Sequence, residues 1–323
     1  MGFRIEKATA DGVQGLDPTL FVLHGPDGAR AEVWPALGFN CFKWLAPRGG
    51  ALLDLLYADP ALFTGGRPTR SGVPVLFPFP NRIRDGRFSW AGKDYALELN
   101  DPAKKNAAHG WACRVPWKVV EHGADESGAW ITGEYHGKAE NWPAEHLLTL
   151  TIKLGRGTLR FDAEVTNLDK AELPFGLGYH PYFRIAPEAM VEVPAAKMWP
   201  AAENLPTGEP VAVDAGRDLN RPRLLSSLEL DDVLTDLPKR AGRMDGLIER
   251  AALGIGEGQP LRMFCSPAFR EMVVYTPPHR QAFAVEPYTC TTDAVNLQAR
   301  GLDAGWLVLP PGEQWKASVE LWV

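Results

Sequence analysis

Apolar and polar positions alternate most cleanly over residues 147–166. Leu148, Leu150, Ile152 and Leu154 are interleaved with Thr149, Thr151 and Lys153. After Gly155-Arg156-Gly157, Leu159, Phe161, Ala163 and Val165 are interleaved with Arg160, Asp162, Glu164 and Thr166. A period of two puts one set of side chains on one face of a strand, so the segment predicts two half-buried strands joined by a tight glycine turn, a β-hairpin. Shorter runs of the same kind recur at residues 88–97, 117–120, 272–275, 282–285 and 317–323. The 32 glycines and 28 prolines interrupt them at short intervals, as turns between strands do. No long stretch keeps a helical period; residues 52–56 and 187–190 are expected to form short helical turns. Residues 194–222, rich in Pro, Asn, Asp and Gly, predict a long surface excursion bordering a binding site. Together these features predict an all-β protein, a sandwich or barrel of antiparallel strands with long loops.

A chain of 323 residues could hold two domains. No Ser/Gly-rich or charged linker divides it, and its 45% apolar content stays even along its length, so one domain over residues 1–323 is expected. The 34 basic and 40 acidic residues leave a net charge of −6 and are interspersed, which argues against a nucleic acid or a membrane surface as partner. Arg4 and Glu6 stand where a secretion signal would need an apolar run, and no run is long enough for a bilayer, so a cytoplasmic location is expected. Cys41, Cys113, Cys265 and Cys290 lie far apart without a Cys-x-x-Cys pair; they predict buried, reduced thiols rather than a zinc site or a disulfide framework. A P-loop, a G-x-S-x-G elbow and a His-Glu-x-x-His motif are missing, and Gly254-Ile255-Gly256-Glu257-Gly258 does not complete a dinucleotide fingerprint. No metal and no nucleotide cofactor is therefore expected.

Candidate chemistry concentrates in three polar islands and one carboxylate. A proline-rich run, Val75-Leu76-Phe77-Pro78-Phe79-Pro80, delivers Asn81 and Arg82 on a stiff path. Arg82, next to Ile83, is expected to point inward, and Arg84 and Arg87 to be solvated. In Asn106-Ala107-Ala108-His109-Gly110-Trp111, small residues around His109 would allow a ligand to approach the backbone. In Gly178-Tyr179-His180-Pro181-Tyr182-Phe183, aromatics frame one histidine; aromatic faces stack on sugars, and burial would lower the pKa of the imidazole. Glu286 closes the apolar run at residues 282–285, where a carboxylate is costly unless it is paired or functional. The plain alternative is a buried glutamate bonded to a hydroxyl such as that of Thr289.

Taken in order, these motifs resemble the aldose 1-epimerase (galactose mutarotase-like) family, in its shorter bacterial branch. The resemblance also takes in Gly86-Arg87-Phe88, Pro116-Trp117, Glu286-Pro287-Tyr288-Thr289, Asp293-Ala294-Val295-Asn296-Leu297 and Leu309-Pro310-Pro311-Gly312-Glu313. It implies a large twisted antiparallel β-sandwich with the site in a cleft across one sheet. It further implies Glu286 as the base on the anomeric hydroxyl and His180 as the acid on the ring oxygen. His109, counted with the catalytic residues, and Arg82 would bind the sugar oxygens and support charge, with Asn81 beside them, and Asp231, or Asp232 beside it, would contact the substrate. Three positions depart from the family's longer or commoner pattern: Cys113, with Arg114 next to it, where an arginine is frequent; Tyr179 in place of Asn; and Val273 in place of a polar residue.

The implied activity is interconversion of the α and β anomers of a small-molecule aldose, without metal or redox cofactor, by a monomer or homodimer. Glu286 is expected to be ionised and His180 protonated, on opposite sides of the sugar. Three rivals stand beside it. The first is a hexose-6-phosphate epimerase with Arg67, Arg70 and Arg84 gripping the phosphate, and the second a non-catalytic sugar-binding protein. The third is a glycoside hydrolase, which wants two carboxylates where Glu286 is the one well placed.

Overall fold

The structure, a computed structural model, describes residues 2–101, 103, 105–186, 188–240, 242–255 and 258–323. The alternation at residues 147–166 folds as the strands His146–Gly155 and Thr158–Asn167, paired from His146 with Asn167 to Gly155 with Thr158. Leu148, Leu150, Ile152, Leu154, Leu159, Phe161, Ala163 and Val165 are all buried, as the period of two requires.

Among the described residues this hairpin belongs to a nine-stranded antiparallel sheet. On one side of it lie Lys118–Ala124 and Ala129–Gly137; on the other lie Gln314–Trp322, Leu261–Cys265, Ile248–Gly254, Met190–Glu192 and Arg223–Leu224. The last strand of the chain thus sits inside the sheet, between Thr158–Asn167 and Leu261–Cys265.

An eight-stranded sheet faces it, in the order Val211–Ala212, Lys197–Met198, Asp231–Thr235, Glu271–Tyr275, Ala282–Tyr288, Gly178–Tyr179 and Val75–Leu76, with Tyr182–Arg184 also paired to Ala282–Tyr288. One buried cluster joins Ile152, Phe161 and Val319 of the first sheet to Met272, Val274, Phe283 and Val285 of the second. The rings of Phe161 and Tyr179 meet across the gap at 5.5 Å. A five-stranded meander from Arg4–Thr9 to Ala51–Asp54 adds Phe21, Val33 and Trp44 to the same core. The architecture is the large antiparallel β-sandwich that the sequence implies.

Local readings fare less evenly. Residues 52–56 are not helical: Ala51–Asp54 pairs with Asn40–Arg48, and Leu56 bridges to Phe183. Of residues 187–190, Pro187 lies outside the described residues and Met190 begins a strand; Gly256 and Glu257 of the glycine run also lie outside them. Residues 194–222 are more ordered than their composition suggests, because Lys197–Met198 and Val211–Ala212 extend the second sheet and Trp199 and Leu219 are buried. The four cysteines are buried and free. Among the described residues no helix is long and apolar enough to cross a membrane.

Candidate active site

The strand Ala282–Tyr288 is buried along its whole length. Phe283 and Val285 point between the sheets, so Ala284, Glu286 and Tyr288 point to the opposite face. Glu286 lies opposite Val273, Ala284 opposite Tyr275, and Tyr275 opposite Asp231. Directly paired residues of antiparallel strands share a face, so these side chains form one surface. Over it lies a cavity of about 560 Å³ whose wall includes Glu286, His180, His109, Arg82, Asn81 and Asp231. All six residues singled out in the sequence come together there.

The proline-rich run explains how two of them arrive. Asn81, in the left-handed region at φ 54°, turns the chain into the short strand Arg82–Ile83. That strand pairs with Ala107–Ala108, and the His109 amide donates to the Asn81 carbonyl at 2.7 Å. The next residue, Gly110, serves packing rather than ligand approach: a Cβ there would lie 2.1 Å from the Phe77 carbonyl oxygen. That carbonyl accepts from the amides of Trp111 and Ala112. Arg82 points inward, as expected; its Nε donates to Asp101 at 2.8 Å and its Nη1 to the Asn81 side chain at 2.9 Å. Asp293 braces this loop by donating its amide to the Arg82 carbonyl at 2.8 Å and accepting the Arg84 amide.

His180 Nε2 and Glu286 Oε1 are 3.1 Å apart, with side chains 8% and 2% exposed. The Tyr182 ring stacks on the imidazole at 4.4 Å, and its hydroxyl lies 3.2 Å from Nε2. Glu286 does have a hydroxyl partner, but it is Tyr288, which donates to Oε2; the Thr289 hydroxyl instead accepts the Leu177 amide. Burial holds the Glu286 carboxyl well above the usual carboxylate range and pushes the His180 imidazole down. Desolvation thus works against the ionised pair expected from the sequence, because burial penalises both charges. The neutral pair and the ion pair contain the same number of protons and differ only in where one of them sits. His109, its ring 5.9 Å from that of His180, is driven well below the usual histidine range by burial and then by His180, Arg82 and Arg114. Its surroundings favour the neutral imidazole, and its buried Nδ1 has no hydrogen-bond partner among the described residues.

Of the two neighbouring aspartates, Asp231 is on the cavity wall and accepts from the Asn204 side chain. Asp232 pairs with Arg217 at 2.7 Å. Through Asn204 the 194–222 segment does border the site. Cys113 is buried, whereas Arg114 reaches the wall and Val273 forms part of it. Tyr179 points into the core beside Phe161 and Phe269. Arg67 and Arg70 line the cavity; Arg84 does not, its guanidinium lying beside Asp293 and the Pro206 carbonyl. Tyr182, one of the aromatics expected to frame His180, is on the wall, whereas Asp101, Tyr275 and Tyr288 were missed as wall residues. Both tyrosines flanking the pair sit two positions from His180 or Glu286, the strand period that returns a side chain to the same face, and that signal could have found them.

Comparison with known proteins bears on the family and the fold. The family model described as aldose 1-epimerase matches residues 45–322. The chain is 34% identical over 150 residues to the uncharacterized protein YphB of Escherichia coli K12, covering 45% of this chain and 48% of that one, so the match spans about half the length of that relative. A galactose mutarotase-like protein from Clostridium acetobutylicum superposes with a TM-score of 0.82 at 21% identity, over 98% of this chain and 97% of the other. Galactose 1-epimerase from Lactobacillus acidophilus does so with a TM-score of 0.75 at 17% identity, over 99% and 98%. At such identities the superpositions speak for the fold, while the family model covers most of the sequence. The chain belongs to the aldose 1-epimerase family.

Proposed function

We propose that the protein interconverts the α and β anomers of an aldose. The observation that carries this reading is the buried contact of 3.1 Å between His180 and Glu286 on the wall of a polar cavity. In a cyclic aldose the anomeric hydroxyl O1 and the ring oxygen O5 are bonded to the same carbon, so a base and an acid this close can reach both. They need not stand on opposite sides of the ring. Glu286 takes the proton of O1–H while His180 gives a proton to O5. The C1–O5 bond breaks and O1 becomes the aldehyde oxygen. After rotation about C1–C2, the O5 hydroxyl attacks the other face of C1, returning its proton to His180 as Glu286 protonates O1. Protons, bonds and charge balance over the cycle. Arg82, with His109 and Asn81, supplies donors for the sugar oxygens, and Asp231 an acceptor for its hydroxyls. The protein is then a cofactor-independent isomerase acting on a small-molecule sugar.

Polarimetry of freshly dissolved single anomers tests the reading. The wild type should speed the approach to equilibrium, and Glu286→Gln and His180→Asn should each abolish the effect; near-wild-type rates in either variant would sink the assignment.

One observation favours a second reading, in which the aldose carries an anion. Among the described residues neither Arg67 nor Arg70 has a side-chain hydrogen-bond or carboxylate partner, although both line the cavity. A higher kcat/KM for glucose 6-phosphate than for glucose, lost in Arg70→Gln, would select it.

A further inference from the structure

We propose that Tyr288 and Tyr182 are positioning residues that move the shared proton of the Glu286–His180 pair onto the histidine, so that the pair is set for acid–base work. The inference rests on the mutarotase reading for its consequence, but not for its geometry.

A tyrosine hydroxyl has one hydrogen to give. Tyr288 gives its hydrogen to Glu286 Oε2, which leaves Oε1 facing His180. The ring that carries this hydroxyl is held in place: a Cβ on Gly178 would lie 2.5 Å from Tyr288 Cδ1, so the ring occupies space that glycine leaves open. Tyr182 gives its hydrogen to the Thr69 carbonyl at 2.6 Å. Towards His180 Nε2, 3.2 Å away, its oxygen can then only accept, so Nε2 must carry hydrogen. The stacked rings of Tyr182 and His180, 16° from parallel, keep that nitrogen in place.

Both bonds act in one direction. A donor on a carboxyl stabilises its ionised form, and an acceptor on Nε2–H stabilises the imidazole that carries hydrogen on Nε2 over the one whose Nε2 is bare and takes the carboxyl's hydrogen. Desolvation pulls the other way, toward carboxylic acid and bare imidazole. Other charged or titratable groups lining the cavity around the pair are Arg82 from the strand Arg82–Ile83 with Asp101 beside it, His109 and Arg114 from the neighbouring loop, Asp231 and Tyr275 from the adjoining strands, and Arg67 and Arg70 from the turn around Thr69. Arg82 favours the carboxylate but opposes the imidazolium, and Asp231 opposes the carboxylate. Tyr288 favours the carboxylate, and Tyr182 favours hydrogen on the nitrogen that faces it.

The test is the pH dependence of anomer exchange in Tyr288→Phe and Tyr182→Phe. In Tyr288→Phe the acid limb of the kcat profile should move up by about one to two pH units, with KM nearly unchanged. In Tyr182→Phe the alkaline limb should move down. Limbs that stay at the wild-type positions in both variants overturn the proposal, as does a loss confined to KM. Infrared difference spectra of the sugar-free proteins give a readout independent of turnover. With the Glu286 band identified by Glu286→Gln, the protonated-carboxyl signal at neutral pH should be larger in Tyr288→Phe than in the wild type, and an equal signal overturns the Tyr288 half. Should Tyr288→Phe fail to fold, the Tyr182→Phe limb still decides. A wild type that exchanges no anomer would defeat the functional reading and leave the infrared comparison standing.

Discussion

The hairpin of His146–Gly155 and Thr158–Asn167 and the strand Ala282–Tyr288 obey the same period of two but spend their outer faces differently. In the hairpin the inner residues are buried and the outer ones, such as Thr149, Lys153 and Glu164, are partly exposed. In Ala282–Tyr288 both faces are buried, yet the outer one carries Glu286. A charge on a wetted face costs little, whereas a carboxyl on a covered face is held at the expense of stability. The lesson is that the two strands are equally good β structure, and only the second contains a group whose placement folding alone does not explain.

Breaking that contrast at its strongest point should give the largest effect. Glu286→Gln or His180→Asn should lower kcat by about 10²–10⁴-fold or more in anomer-exchange assays. Neither should lower the urea midpoint. Burial raises the carboxyl's folded pKa, so its contribution to stability is present at low pH and is lost as pH rises. Glu286→Gln removes that loss and should be relatively most stable at alkaline pH.

Truncating the hairpin's inner face does the opposite. Phe161→Ala should destabilise the protein by about 3–5 kcal/mol in denaturant titrations while activity per folded molecule is retained, because it removes core packing and no site group.

Glu271, on the neighbouring strand, sharpens the comparison. It is fully buried, accepts from Trp199 Nε1 at 3.1 Å, and burial raises its carboxyl to about 8. The unfolded chain releases this proton near the ordinary glutamate value of 4.5, while the folded protein keeps it to about 8. Stability should therefore fall as pH rises between those two values, by on the order of a few kcal/mol. Thermal unfolding of Glu271→Gln at several pH values should show a flatter dependence.

The smallest effect belongs to the hairpin's wet face. Lys153→Gln loses one exposed hydrogen bond to Ser127 and should change stability by less than about 0.5 kcal/mol.

What could be read from the chain follows the range of the interaction. The hairpin was legible because its pattern and its partner are adjacent in sequence. Insertion of Gln314–Trp322 beside Thr158–Asn167 was not, since pairing across such a distance leaves no local mark. Residues 52–56 misled because a short apolar run fits a helical turn as well as a strand; the partner, Asn40–Arg48, decided it. Glu286 and His180 stood out as ionisable groups in apolar settings, and the resemblance assigned their roles. Asp101 was invisible, a turn residue whose relevance appears only when Arg82 reaches it. Thr289 was a natural guess for the Glu286 partner, but it lies beyond the end of that strand and its hydroxyl accepts the Leu177 amide, whereas Tyr288 shares the carboxyl's face.

The central claim is that Glu286 and His180 exchange protons with O1 and O5 of a sugar. It is met most directly by NMR exchange spectroscopy on equilibrated aldoses, in which magnetisation passes between the α and β anomeric protons only while rings open and close. With wild-type protein, exchange cross-peaks should appear for at least one of galactose, glucose, xylose, arabinose or glucose 6-phosphate, and vanish with Glu286→Gln at equal concentration. Cross-peaks of undiminished strength with Glu286→Gln, or none with the wild type on any of these sugars, would contradict it.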